Sequence, residues 1–406
     1  MNLDHYTLTE TFEYELREFV ALWSQPEGGV DRAHGGFCCG LDYSGARLVG
    51  NKYVWFQGRG LWVWSCLSHR PAARAALGVA MPSAELLGVA SAAKDFVDQH
   101  GRDDDGGWIV ETDAAGTTVL RGAEPRMIAT SGYGSAFFAE GLVEWAVAVA
   151  ATAEGDAERV ANATAALRRA HAILADFVAL ADDATRPGDL GWPNVYAGMR
   201  SLGHHMIALN LTRQLLEASS DARLAVAAEP ALGADAIAAL EALAARMVDA
   251  VMVKFHHAEF DLICEILDHS YERPADANED LCYLGHAIET LWMVMAEARR
   301  RWRRAGDGAG DGRAGDGAAG DGAAVESRRA ETTVEAEALF ALAALRFRRH
   351  VEVAADRVYG GTLRGVHVRT QGYLLDGDAK VKWAHDEVLI GCLLIVEHAA
   401  LLERVA

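Results

Sequence analysis

The sequence predicts an all-α chain, an (α/α) barrel carrying short β-hairpins, and three observations predict it. Alanine- and leucine-rich stretches with a 3.6-residue apolar period recur along the chain. Between some of them stands one recurring element, a Gly-Gly turn leading into a short strand. Regular alternation of a buried strand with a helix is missing, which argues against a parallel sheet.

The periodic stretches are Ser135–Glu154, Ala157–Ala179, Leu232–Phe255, His286–Arg304 and Glu335–His350. Alanine and leucine are strong helix formers, and the apolar stripe gives each helix a face to bury. The Gly-Gly turns are His34-Gly35-Gly36-Phe37, Asp105-Gly106-Gly107-Trp108 and Tyr359-Gly360-Gly361-Thr362. After the first two comes a second turn, at Asp42-Tyr43-Ser44-Gly45 and Asp113-Ala114-Ala115-Gly116, which folds the strand into a hairpin. A helix pair plus hairpin, repeated, is a unit that cannot bury its apolar face alone and stacks into a closed ring. The whole chain, 1–406, is expected to be one such domain. Residues 305–324, AGDGAGDGRAGDGAAGDGAA, interrupt it as a glycine-, alanine- and aspartate-rich flexible loop; without a closing bidentate glutamate the Asp-Gly repeats do not read as a calcium loop.

Composition bounds the partners. Of 406 residues 51% are hydrophobic and 24% charged, enough apolar surface for a large core. A formal net charge of −20 repels phosphate backbones and anionic lipid, so neither nucleic acid nor a membrane is an expected partner. Residues 1–18 lack a basic segment followed by an apolar one, and no apolar run reaches the roughly 18 residues needed to cross a bilayer. Six scattered cysteines without a C-x-x-C pair point to a reduced, cytosolic setting. The Cys38-Cys39 doublet reads either as a reactive or metal-binding thiol pair or, by preference, as small buried residues on a strand.

Polar and aromatic residues gather at helix starts. In Lys52-Tyr53-Val54-Trp55-Phe56-Gln57-Gly58-Arg59-Gly60-Leu61-Trp62, residues Trp55, Arg59 and Trp62 share a helical face. A guanidinium there can fork two hydrogen bonds to ligand oxygens while an indole packs on the C–H face of a pyranose; the alternative is a structural arginine stacked on tryptophan. Gly285-His286-Ala287-Ile288-Glu289 sets His286 and Glu289 on one face at a helix start, where the dipole disfavours imidazolium and keeps a neutral base available for a proton next to a carbonyl. Lys382-Trp383-Ala384-His385-Asp386-Glu387 opens another helix, and Tyr133 and the His204-His205 pair stand at two more. In a ring of helices, alternate starts converge at one end, which favours a site over satisfied core histidines.

These residues carry a resemblance. GGFCCGLDYSGARLVGNKYVWFQGRGLW, YGSAFFAEGLVEW, HHMIALNLTRQL, GHAIETLW and KWAHDEVLIG, in that order, resemble the N-acylglucosamine 2-epimerase family, from about Gly35 onward. The resemblance implies an (α/α)6 barrel and proton transfer at C2 of a ring-opened sugar through an enediol-like intermediate, with no cofactor and no metal. It implies that Arg59 holds sugar oxygens near C1 and C2, that His286 is one general acid/base and that Glu289 orients or assists it. Tyr133, Trp55, Trp383, His385 and His205 then line the pocket, and a small-molecule sugar is the partner.

The sequence departs from the family pattern in two places. Lys382 replaces the first of a tryptophan pair. After the helix beginning near Trp383 no His-x-x-Arg motif follows, so the expectation is a ring incomplete at its C-terminus, lacking the second acid/base, with apolar surface that a homodimer could cover. The alternative to a sugar epimerase or isomerase is a non-catalytic sugar-binding or protein-interaction member; a glycoside hydrolase is disfavoured because Glu289 is the only carboxylate among these positions.

Overall fold

The computed structural model describes residues 8–25, 27–76, 78–79, 81–119, 132–185, 197–224, 230–276, 279–307, 321–370, 372, 377–399 and 402–403. Contacts divide the chain into two compact units, Met1–Leu180 with Gln214–Ala238, and Ala181–Arg213 with Ala239–Ala406.

In the first unit α1 (Leu8–Ser24) precedes an antiparallel hairpin, β1 (Gly40–Leu41) with β2 (Arg47–Val49). Strand β3 (Lys52–Tyr53) runs directly into α2 (Val54–His69), followed by α3 (Pro71–Ala76) and α4 (Ser83–His100). Strand β4 (Glu111–Thr112) pairs antiparallel with β3. Next come α5 (Gly132–Thr152) and α6 (Ala157–Asp182), whose last two residues belong to the second unit. By length and composition α5 could cross a membrane over Tyr133–Thr152, longer than the sequence reading allowed; 78% of its most apolar window is buried inside the protein.

Helix α2 packs on α5 and α4. It approaches α5 through glycines: a Cβ at Gly58 would overlap the backbone of Phe137 and Phe138, and one at Gly141 would stand 2.6 Å from the Gly58 carbonyl oxygen. Gly58→Ala is therefore expected to force the helices apart at a cost of about 1–3 kcal/mol, read as a lower melting temperature. An unchanged melting temperature would mean that the two helices do not touch there.

The Gly-Gly turns form as expected, and an aspartate organises each. Asp31, Asp103 and Asp356 accept backbone hydrogen bonds from residues two to four positions on, closing turns in which Gly35, Gly36, Gly106, Gly360 and Gly361 take the positive φ that glycine permits. Lys52, fully buried, anchors the first turn, with its ammonium 2.9 Å from Asp31 and 2.7 Å from the carbonyls of Gly35 and Ala114. Burial pushes the Asp31 carboxyl up, but the Lys52 ammonium and the Ala33 and His34 amides outweigh it and hold the group below its usual range.

In the second unit β5 (Met199–Ser201) pairs antiparallel with β8 (Ile266–Asp268) and leads into α7 (Leu202–Ser219), which ends in the first unit. Helix α8 (Ala234–Asp249), which begins in the first unit, continues as a π turn, Ala250–Lys254, into the hairpin β6 (His256–His257) and β7 (Leu262–Ile263). Strand β9 (Leu281–Tyr283) opens α9 (Leu284–Asp307) and pairs antiparallel with β10 (Gly365–His367). Helix α9 packs on α10 (Asp321–Ala354) and α11 (Lys382–Glu397). Helix α11 leaves Leu389, Ile390, Leu393 and Val396 exposed. At the edges of the expected loop at 305–324, α9 reaches Asp307 and α10 starts at Asp321, where an acid is favoured by the helix dipole and the following alanines by their propensity. Residues 308–320 lie outside the described residues.

Candidate functional site

The β9–β10 register builds the site in the second unit. Tyr283 pairs with Gly365, and the Leu284 amide donates to the Arg364 carbonyl at 3.0 Å, fixing the point where strand becomes helix two residues before His286. Gly285 fills the gap because a Cβ there would stand 2.5 Å from the Trp383 ring. The His286 imidazole packs against two aromatic rings that also meet each other at 5.9 Å. Tyr283 meets it edge-on at 4.6 Å and 87°, and Trp383, from the first turn of α11, is tilted at 5.7 Å and 37°.

Glu265 comes from the link between β7 and β8. Its backbone is held on both sides, its amide donating to Leu281 and its carbonyl accepting from Leu202, each at 2.8 Å. Its side chain is only 3% exposed, and Oε1 lies 2.9 Å from His286 Nδ1. An ionised carboxylate only accepts, so Nδ1 carries the proton and Nε2 is the basic nitrogen of neutral His286. The same carboxylate stabilises the imidazolium once Nε2 has taken a proton. The other oxygen, Oε2, is buried with no partner among the described residues.

His204 and His205 start α7 beside this pair. Burial pushes both down to about 4. His205 Nδ1 donates to the Ser201 carbonyl at 2.9 Å, leaving Nε2 to accept from the Tyr271 hydroxyl at 3.1 Å. His350 is held the same way, donating from Nδ1 to the Arg346 carbonyl and accepting at Nε2 from the Ile263 amide, and burial brings it to about 4. A histidine that titrates near 6.5 unfolded and near 4 folded binds its proton preferentially when unfolded. Stability is therefore full above about pH 6.5 and is lost as pH falls toward 4, by ~1.4 kcal/mol per pH unit for each of the three. Denaturant midpoints should drop steeply over that window; a midpoint flat from pH 7 to 5 would mean that these rings are solvated.

The remaining expected site residues fall in two groups. Glu289, three residues after His286, is buried and close enough to Tyr283 to act on its hydroxyl electrostatically, whereas the carboxylate on Nδ1 is Glu265. His385 has both ring nitrogens engaged by backbone, Nδ1 donating to Val381 and Nε2 accepting from Thr362 at 2.9 Å each, so it clamps the Gly360-Gly361 turn. In the first unit Arg59 lies 4.3 Å from the Phe137 ring centre and 5.9 Å from that of Trp55, which is 39% exposed. Tyr133 sits partly buried in the first turn of α5. Cys38 is buried and Cys39 partly so, just before β1 rather than on it; burial raises both thiols, Cys39 to about 11, which suits packing and not a reactive thiolate.

Sequence reasoning missed Glu265, Tyr283 and Arg364. The signal for Glu265 was present: an acid inside the apolar run Leu262-Ile263-Cys264-Glu265-Ile266-Leu267 is buried by its neighbours and needs a partner.

No family model and no curated protein matches the chain. Among solved structures it is similar to a D-mannose isomerase, at 14% identity and a TM-score of 0.61, covering 98% of this chain and 84% of that one. A sugar epimerase from a ruminal bacterium matches at 14% identity and a TM-score of 0.49, over 95% and 98% of the two chains. The cellobiose 2-epimerase from Bacillus thermoamylovorans B4167 matches at 15% and 0.48, over 96% and 99%. The first of these likenesses is one of fold, and the fold is of the class that the sequence predicts, all-α with short hairpins, the (α/α)6-barrel class.

Proposed function

We propose that the chain is a sugar 2-epimerase or aldose-ketose isomerase in which His286 moves the proton at C2 of a ring-opened sugar. The observation that carries the reading is the buried Glu265 carboxylate 2.9 Å from His286 Nδ1, which fixes a neutral imidazole with its basic nitrogen at Nε2. Nε2 takes the C2 proton, the electrons pass into an enediol, and Glu265 holds the imidazolium. Return of that proton to C1 gives the ketose; delivery of a proton to the opposite face of C2 gives the epimer. Trp383 and Tyr283 offer the aromatic surface that sugar C–H faces prefer. The motifs resembling the N-acylglucosamine 2-epimerase family and the fold likeness to a D-mannose isomerase support the same reading.

The proposal includes a sugar-binding role for Arg59 beside Trp55. Arg59→Lys keeps the charge and loses the planar fork, and sugar binding is expected to weaken by roughly tenfold. Unchanged affinity would assign Arg59 to its stack on Phe137. The reaction itself is tested by incubating the protein in deuterated water with mannose, glucose, fructose and N-acetylmannosamine and following the C2 hydrogen by NMR. Deuterium entry with ketose or epimer supports the proposal, and its absence with every sugar, despite binding, supports the non-catalytic alternative.

A further inference from the structure

Several arginines of the second unit are matched by carboxylates: Arg200 and Arg246 by Asp182, Arg300 and Arg304 by Glu241, Arg301 by Glu297, Arg369 by Asp280. Arg364, which stands beside the candidate site, is not among them. Its Nε donates to the Tyr283 hydroxyl at 3.1 Å and its guanidinium carbon lies 5.4 Å from the centre of that ring, but among the described residues no carboxylate forms an ion pair with it. Its side chain is partly buried, and its two Nη atoms have no partner among the described residues. Its backbone is fixed at both ends, the amide donating to Gly377 at 2.9 Å and the carbonyl accepting from Leu284 at 3.0 Å. The same phenol ring that Arg364 holds has the His286 imidazole against it at 4.6 Å.

A guanidinium with one donor spent on a phenol and its fork unspent among the described residues, in a chain of net charge −20, is matched to an oxyanion that no described residue supplies. We propose that Arg364 binds an anionic group, phosphate or carboxylate, on the sugar, so that the site takes an acidic sugar in preference to a neutral one. The inference rests on the proposed sugar chemistry at His286 and narrows its substrate class. The Tyr283 ring is shared, 4.6 Å from the imidazole and 5.4 Å from the guanidinium carbon, so the reacting carbon would sit at the imidazole and the anionic group at the arginine. A lysine at this position would supply charge without two parallel donors.

The test separates binding from turnover. Titration calorimetry with glucitol 6-phosphate, gluconate and glucitol, none of which can be isomerised, is expected to show an acidic polyol binding at least tenfold more tightly than the neutral one. Arg364→Gln should collapse that ratio toward one, and Arg364→Lys should restore part of it. A variant that merely disturbs Tyr283 would weaken all three ligands alike and leave the ratio standing, which would overturn the proposal, as would equal wild-type affinities. Phosphate preferred over carboxylate, or the reverse, identifies the group. Selective binding without hydrogen exchange on mannose 6-phosphate or mannuronate would retain the anion site and sink the isomerase reading, whereas exchange on neutral sugars with no anion preference would do the opposite.

Discussion

His286→Ala is expected to abolish exchange of the C2 hydrogen with solvent, by at least ~10³-fold, because the imidazole is held with a basic nitrogen by a buried carboxylate and packed against two aromatic rings. The alanine variant also strips Glu265 of its Nδ1 partner, and a buried carboxylate that loses a donor destabilises by about 1–3 kcal/mol. Lost activity in that variant alone would thus confuse chemistry with folding. His286→Gln separates the two, since a glutamine amide can still donate to Glu265 but has no basic nitrogen. The expected result is a melting temperature near wild type for His286→Gln, a lower one for His286→Ala, and no exchange in either. Exchange at the wild-type rate in the glutamine variant would remove His286 from the reaction.

His286 and Trp383 were legible in the sequence because each sits at a helix start, where residues a few positions apart along one chain already define a face. The Gly-Gly turns were legible for the same local reason: a positive φ is a property of the residue and its neighbours. Glu265 was not, although a buried acid in an apolar run was visible, because its pairing to His286 depends on where Glu265 docks against Leu281, and register between distant strands is set by tertiary packing. Glu289 was the natural choice of orienting carboxylate on helical spacing alone. The reading of His385 as a pocket residue could not anticipate that its two nitrogens serve the Thr362 amide and the Val381 carbonyl, one of them 23 residues away. Arg364 carried no motif at all, and its interest arises from its bond to the Tyr283 hydroxyl, whose ring packs on His286.

Glu265→Gln is expected to be nearly as damaging as loss of the histidine, with kcat falling ~10²- to 10⁴-fold and KM changing little. Glutamine fills the same space, so the strand link and its hydrogen bonds to Leu281 and Leu202, which are backbone bonds, persist. Two things change at the imidazole. The neutral amide no longer stabilises the imidazolium formed when Nε2 takes the C2 proton, and if its NH₂ faces Nδ1 the ring must move its own proton to Nε2, which then cannot act as the base. The first effect slows the step at every pH; the second removes the reactive tautomer. Glu265→Asp retains the charge but falls one methylene short of Nδ1, and should recover part of the rate. A purely structural glutamate would show the opposite order, with glutamine tolerated for its shape and aspartate damaging through the cavity it leaves. Measuring kcat and KM for the two variants beside wild type, with melting temperatures to confirm folding, distinguishes these orders. A glutamine variant with wild-type kcat would show that the Nδ1 contact positions nothing in the reaction.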